Sequence, residues 1–535
     1  MGVSVRILQP RLCRLGCGCP FDRTRILGRS FRRPSSVPAQ ARSAQPLISP
    51  SLSNRGYLRH MGKHQPTQEM RAIIEAARRR ESAKANAFAG AGKTELLVLS
   101  SEALGPGGLY NAFNTAMRTD AERRFNSAHV LCLTSHGIAF RAMEMARFQK
   151  RITKRIPPRT AAQRLGFGSD IAAAKLGHLV LRTVDRYCQS LDRTILPHHA
   201  AAAGAVEETE KIAALAQDLW SQITAQKGDC PILHDYYVKM FHLSDRPLPG
   251  RPRYVFYDEA QDGSAVMVDA IQRQGIPTIW CGDRHQQLYR FRGAVNAMRQ
   301  ITAPEYPLTQ SWRFGATIAE AANRVLARKI DFPDQRLVGN PARASRVVIG
   351  TIMRPHTCLC RTNAGLFAEA ITSEHPFHVV GGLDEIMKLV QGAYSLWSDG
   401  KPQRHIEELA QFDSWQELKD YCEAVDAVEL RFLARLVEGH GHDIPDLLTD
   451  LKERHTDEQK AFLVLSSIHK SKGRQWPAVR LAADFKEVDD RIKQEDPDTY
   501  DDELNLLYVA LTRAQDLLVV NAVLYAFLTE PAVAA

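Results

Sequence analysis

The run Ala87-Phe-Ala-Gly-Ala-Gly-Lys-Thr94 has the spacing of a loop that wraps phosphate oxygens between a strand and a helix. Gly90 and Gly92, alternating with Ala89 and Ala91, let backbone N–H groups curl around phosphate at the N-terminus of the helix that follows. Lys93 then reaches toward the β- and γ-phosphates, and Thr94 offers a hydroxyl to Mg²⁺. The usual pattern starts with Gly, and Ala87 stands there instead. A second run, Tyr254-Val-Phe-Tyr-Asp-Glu-Ala-Gln-Asp262, reads as an apolar strand ending in acids. Two adjacent carboxylates at such an edge can divide the chemistry, with Asp258 in the Mg²⁺ shell and Glu259 as general base toward an attacking water. A solvated acidic turn is the bland alternative. A third run, from Gly282 to Ala294, holds Gln286, suited to sensing a γ-phosphate. It also holds Tyr289, Phe291 and Arg292, where an aromatic beside a cation suits a platform for stacking nucleic-acid bases.

These side chains need strands that end where helices begin. Gln68 to Arg80 predicts a helix, Asn86 to Ala89 a buried strand and Lys93 to Leu104 the next helix, with a turn at Gly105-Pro-Gly-Gly108. That order is α/β, with parallel strands and crossover helices. From about 141 to 250 the pattern turns helical, as in Asp170 to Asp192 and Val206 to Thr224. Arg253 to Tyr257 and Thr278 to Cys281 return as strands, and a second alternating region begins near Val347. Ile386 to Trp397 and Trp415 to Glu438 are helical before Phe462 to Ser466 resumes the strand pattern.

At 535 residues and 44% hydrophobic content the chain can bury several cores. No stretch approaches the roughly 18 apolar residues of a membrane span. The ten cysteines are scattered without a CxxC pair, which favours reduced structural thiols over a metal site. The net charge of +10 resides entirely in residues 1 to 60, which hold eleven arginines, no lysine and one acid, Asp22. The other 475 residues are neutral overall, so any nucleic-acid groove must be a local patch made by folding. The Arg-rich, acid-poor start is compatible with an organellar transit peptide; a disordered tail, or a true start at Met61, reads equally well.

Taken in order, these motifs resemble the UvrD/Rep branch of superfamily 1 helicases, over most of residues 64 to 520. Pro66-Thr67-Gln68 resembles the adenine-reading segment, with Gln68 the reader. Ala112-Phe113-Asn114 and Thr134-Ser-His136 resemble DNA-contacting segments of the first lobe, and Cys360-Arg361-Thr-Asn363 one of the second. Leu308 to Phe314 is similar to the motif in which an aromatic stacks on adenine and an arginine reaches the γ-phosphate, here Trp312 and Arg313. Ser467 to Trp476 carries His469, a further DNA contact, and Gln475, placed at the nucleotide ribose. Glu503 to Ala514 ends in Arg513, the second arginine finger by resemblance. Tyr110 to Asn114, His234-Asp-Tyr-Tyr237 and Val380-Gly-Gly-Leu383 are most similar to the F-box DNA helicases, with no F-box-like extension expected ahead of the motor. Three departures stand out: Gln475 where Glu is usual, Thr115 where Lys is usual, and a short stretch between Asn363 and Ser466.

The resemblance implies an α/β fold of two RecA-like parallel-sheet P-loop lobes, each with a mainly helical insert. The expected domains are a basic leader at 1–62, lobe 1A at 63–140 and 251–305, insert 1B at 141–250, lobe 2A at 306–380 and 461–535, and a reduced insert 2B at 381–460. It implies an ATP- and Mg²⁺-dependent 3′ to 5′ translocase or helicase acting on single-stranded DNA and single-to-double-strand junctions in repair or recombination, monomeric or weakly oligomeric, with protein partners in that setting and no membrane. Alternatives are an ATP-switched clamp or anti-recombinase that strips proteins without unwinding, and an inactive scaffold of motor ancestry. The expected location is cytoplasmic and nucleoid-associated in a bacterium, or an organelle or nucleus if the basic leader is a targeting segment.

Overall fold

In the computed structural model, residues 65–529 are described apart from 155, 169, 289–296, 331–334, 407, 411, 425–427 and 487. The basic leader therefore lies outside the described residues. Among the described residues twelve strands form two sheets, and every neighbouring pair runs parallel. The first sheet comprises β1 (Ala83–Ala87), β2 (Gly108–Ala112), β3 (Val130–Thr134), β4 (Tyr254–Tyr257), β5 (Thr278–Gly282) and β6 (Glu305–Leu308), in the order β3-β2-β4-β5-β1-β6. The second comprises β7 (Arg346–Ile349), β8 (His356–Cys360), β9 (Phe377–Val379), β10 (Leu463–Ser467), β11 (Trp476–Leu481) and β12 (Ala514–Val520), in the order β7-β12-β11-β8-β10-β9.

Strands covered on both faces read as continuous apolar runs, and β2, β4, β5 and β10 are buried at every position. Within them the period of two still sorts side chains between cores. Leu109, Val255 and Trp280 face a core shared with the first helical insert, including Trp220 and Tyr236. Tyr110, Phe256 and Ile279 face the other way, against the helix Gln68–Arg78. The first insert is thus packed onto one face of the first sheet. Its longest helices are Ile171–Gln189 and Thr209–Thr224. The second insert, with helices Asp384–Asp399 and Ile444–Arg454, shares a core with β8, β9 and β10.

Trp415 to Glu438 is helical on both sides of residues 425–427, which lie outside the described residues, as Trp415–Ala424 and Val428–His440. One boundary differs from the sequence expectation. Glu305–Leu308, whose residues from 306 onward were assigned to the second lobe, pairs with β1 as the edge of the first sheet. Its Pro307 concealed it, since proline cannot donate to a ladder and is tolerated chiefly at a sheet edge. Lys84 forms an ion pair of 2.9 Å with Glu305, and Asn86 Nδ2 donates to the same carboxylate at 3.0 Å, fixing the edge. A fourth core cluster joins Phe88, Ala89 and Leu288 of the first lobe to Phe314, Ile318, Tyr508 and Leu511, so the two lobes are packed together beneath their cleft.

Candidate nucleotide site between the two lobes

Parallel strands place their C-terminal ends on one edge, and there the loops of an α/β sheet gather a ligand. Residues 88–92 follow β1, Phe113 and Asn114 follow β2, Asp258 and Glu259 follow β4, and Asp283 follows β5. The helix Lys93–Leu104 starts at Gly92 without any side-chain cap, which leaves its first N–H groups directed at an anion. Gly90 and Gly92 sit at φ 77° and 82°, the left-handed region that glycine enters without strain. A Cβ on Gly90 would also lie 2.5 Å from Ser311 Oγ and 2.7 Å from Arg313 Cβ. Gly90 therefore serves the loop twice, and its carbonyl accepts the Trp312 N–H at 2.9 Å. Ala87 is the last residue of β1 and fully buried, a position where strand backbone needs no glycine.

Lys93 Nζ donates to Glu259 Oε2 at 3.0 Å, and Gln261 Nε2 donates to the same oxygen at 2.5 Å. Glu259 adopts φ 51° and ψ 44°, a costly conformation for a non-glycine residue that turns its carboxylate back over the loop. Asp258 accepts from Tyr110 Oη at 2.7 Å and from the Glu259 N–H at 2.9 Å. Asp283 accepts from Gln286 Nε2 at 2.6 Å and from Tyr508 Oη at 3.1 Å, while that same hydroxyl accepts the Ala89 N–H at 3.0 Å. Tyr508 comes from the helix Pro497–Leu511 of the second lobe, so one phenol fastens both lobes beneath the loop.

The second lobe brings its cations to the same cleft. Arg513 is 1% exposed and donates through Nη2 to Gln286 Oε1 at 3.0 Å. Arg313 donates to Gln475 Oε1 at 2.7 Å and to the Thr512 carbonyl at 2.8 Å. Lys472 bonds to Asp262 and donates to the Gln286 carbonyl at 2.9 Å. The chain from Ile468 to Gln475 must run from the C-terminal end of β10 to the N-terminal end of β11, and this short crossover carries His469, Lys472 and Gln475 along the cleft.

Electrostatics follow from burial. Burial pushes the Asp258 carboxyl up, and the neighbouring Glu259 charge adds to it. Burial opposes ionisation of Glu259 too, but Lys93 and Lys472 outweigh it and hold that carboxyl low. Glu259 therefore stays an anion able to accept a proton, while Asp258 is a buried acid whose charge a divalent cation would stabilise. Asp258, and Thr94 in the same 940 Å³ cleft, fit a Mg²⁺ site by donor type and position. Burial lowers Arg313 and Arg513, and Arg313 lowers Arg513 further, as expected of two cations gathered where an anion belongs.

The nucleotide-side expectations mostly meet in one place: Gly90, Ala91, Gly92, Lys93, Thr94, Asp258, Glu259, Trp312, Arg313 and Gln475 line the cleft, with Trp312 half exposed. Ala89, Gln286 and Arg513 form its buried underside through the bonds above. Gln68 is exposed at the first position of its helix and does not line the cleft.

The DNA-side expectations divide. Phe113 is 38% exposed, beside Lys472. Asn114 and Thr134 cap the helices that follow them, accepting from Met117 N and Gly137 N. His136 pairs with Asp235 of the first insert at 2.9 Å, and His469 Nε2 lies 3.3 Å from the Leu288 carbonyl. Arg361 makes a two-pronged bond to Glu503, and Asn363 opens the helix Asn363–Thr372. Tyr289, Phe291 and Arg292 lie outside the described residues. Sequence reasoning assigned no role to Tyr110, Gln261, Asp283, Lys472 or Tyr508. Most of them sit inside the motif runs themselves, within a few residues of the assigned ones.

For a site that hydrolyses ATP, Lys93→Ala is expected to lower turnover by at least about 100-fold, because it removes a preorganised phosphate donor. Single-strand affinity, measured by fluorescence anisotropy, should hardly change. Undiminished DNA-stimulated hydrolysis would remove Lys93 from the site.

With this geometry in place, comparison with known proteins is informative. Residues 462–521 match the UvrD-like helicase C-terminal domain, the segment holding β10, β11, the helix Pro497–Leu511 and β12. Over 503 residues the chain is 30% identical to F-box DNA helicase 1 of Gallus gallus, covering 85% of this chain and 48% of that protein. Over 506 residues it is 29% identical to F-box DNA helicase protein 1 of Schizosaccharomyces pombe, covering 85% and 57%. The chain thus spans about half the length of these relatives. A solved structure titled "The structure of PRRSV helicase" overlaps 85% of this chain and 55% of its own, at 12% identity and a TM-score of 0.30.

Proposed function

We propose that this chain is a UvrD/Rep-like motor of the superfamily 1 helicase type, ATP-dependent and moving 3′ to 5′ along single-stranded DNA. One observation carries the reading: Lys93, Asp258 and Glu259 of the first lobe face Arg313 and Gln475 across a single cleft, with Arg513 buried beneath it on Gln286. ATP with Mg²⁺ would supply the phosphoryl group that these residues act on. Lys93 and the N–H groups at Gly92 hold its phosphates, and Glu259 takes the proton of the attacking water. Arg313 and Arg513 offset charge that develops on the transferred group.

Because the arginines approach from the second lobe's side, hydrolysis is tied to lobe closure. Glu503 and Tyr508 share one helix, so Arg361, a DNA contact on this reading, and Asp283, buried beneath the cleft, are linked through a rigid element. The short second insert favours translocation over strong unwinding, in a repair or recombination setting.

The test compares unwinding of duplexes with 3′ or 5′ overhangs, together with ATPase on single strands of increasing length. Turnover that rises with length and unwinding from the 3′ overhang are expected. Length-independent turnover without unwinding would mean an ATP-switched clamp. Phe291→Ala should keep near-normal ATPase at saturating DNA yet hold single strands roughly five- to a hundredfold more weakly and displace a blocking protein slowly, since base stacking is worth about 1 to 3 kcal/mol. A destabilised protein with an unchanged ratio of translocation to ATPase would remove Phe291 from the stepping machinery.

A further inference from the structure

The first insert contains a ligand set that the motor does not use. Ser190 to Leu196 connects the helix Ile171–Gln189 to the helix Pro197–Ala202, and three side chains of this corner converge. His198 Nε2 and His199 Nε2 lie 2.9 and 3.0 Å from the same oxygen, Asp192 Oδ2. The imidazole centroids are 4.1 Å apart, and Ser190 Oγ lies 2.9 Å from His199 Nε2. Among the described residues no other three His, Cys, Asp or Glu side chains bring their ligand atoms together in this way.

We propose that Asp192, His198 and His199 bind a zinc-type divalent transition metal. Two imidazoles and a carboxylate are the donor set of such an ion, whereas Mg²⁺ and Ca²⁺ prefer oxygen alone. Metal–ligand distances near 2.1 Å require His-to-Asp192 ligand separations only a few tenths of an ångström wider than the 2.9 and 3.0 Å present, and the three ligand atoms lie within 4.8 Å of one another.

His199 Nδ1 accepts the Leu196 N–H at 2.9 Å and lies 3.2 Å from the Leu196 carbonyl. To give Nε2 to a metal the ring would take the Nδ1–H tautomer and donate to that carbonyl, the usual outer partner of a metal-bound imidazole. Lys239, fully buried, donates to the Ser190 and Asp192 carbonyls at 2.8 and 2.6 Å. It draws the backbone inward while the Asp192 side chain bonds to the two histidines. Its ammonium opposes a second cation nearby, and the Asp192 carboxylate offsets it. A bound ion would clip the end of the long helix to the next one and stiffen the corner.

The experiment uses the full chain stripped of metal by chelation, titrated with Co²⁺ and followed by its visible ligand-field absorption, then with Zn²⁺ in competition. One saturable Co²⁺ per chain, displaced by Zn²⁺, is expected. Asp192→Asn and His198→Gln should each weaken binding by more than about tenfold. Both side chains are at least partly exposed, so the fold should hold, which circular dichroism checks. Zn²⁺ should raise the melting temperature of the parent protein and not of either variant, and DNA-stimulated ATPase should be alike in all three. Absence of saturable binding, or binding indifferent to both substitutions, overturns the site.

Discussion

Glu259→Gln is expected to lower the turnover of ATP by about 100- to 10,000-fold while leaving nucleotide binding intact. The range is that of a general base removed from a proton transfer. Gln keeps the shape of Glu and bears the same backbone cost at φ 51°, so stability should change little. What it removes is the negative charge that Lys93 and Lys472 hold in the ionised form. Lys93 then loses an ion pair of 3.0 Å and is left wholly available to phosphate, so ATP should bind at least as tightly as before. Equilibrium binding of a fluorescent ATP analogue, beside single-turnover hydrolysis, separates the two effects. Normal turnover in this variant would mean that another group activates the water.

The second large effect is expected at Arg513. Arg513→Lys should reduce hydrolysis at saturating DNA by about 1,000-fold or more, the scale of an arginine that stabilises a phosphoryl-transfer transition state. The conservative exchange fails because lysine offers a point charge and arginine a planar fork. In the structure protein acceptors orient that fork: Nε donates to the Val509 carbonyl at 3.0 Å, Nη1 to the Arg474 carbonyl at 3.3 Å and Nη2 to Gln286 at 3.0 Å. A lysine at this depth cannot satisfy all three acceptors. A purely structural arginine would behave differently: the melting temperature would fall, while the fraction that stays folded would hydrolyse at the parent rate. Activity normalised to folded protein, read beside thermal unfolding, decides between them.

Much of this site was legible in the sequence because its chemistry is local. Glycines that must take positive φ, a lysine and a threonine directly after them, and two acids at a strand end are fixed by a few adjacent residues. The alternation of strand and helix was legible for the same reason, since Lys93–Leu104 and Thr278–Gly282 depend on short-range pattern. The strand Glu305–Leu308 was hidden because its place is decided by pairing with β1, more than 200 residues earlier, and not by its own sequence. Tyr508 and Lys472 sit inside motif runs, but nothing in their neighbours along the chain says what they touch. The phenol acts only because folding sets it between Ala89 and Asp283, and the ammonium only because it meets Asp262 across the cleft. Arg361 shows the reverse case, a side chain whose motif suggests DNA and whose folded partner is Glu503. Sequence thus determined which groups the chain can bring to phosphate chemistry, through spacing along a few bonds. Tertiary structure alone decided which distant groups meet them, because hydrogen bonds and ion pairs act over a few ångströms of space however far apart their partners lie along the chain.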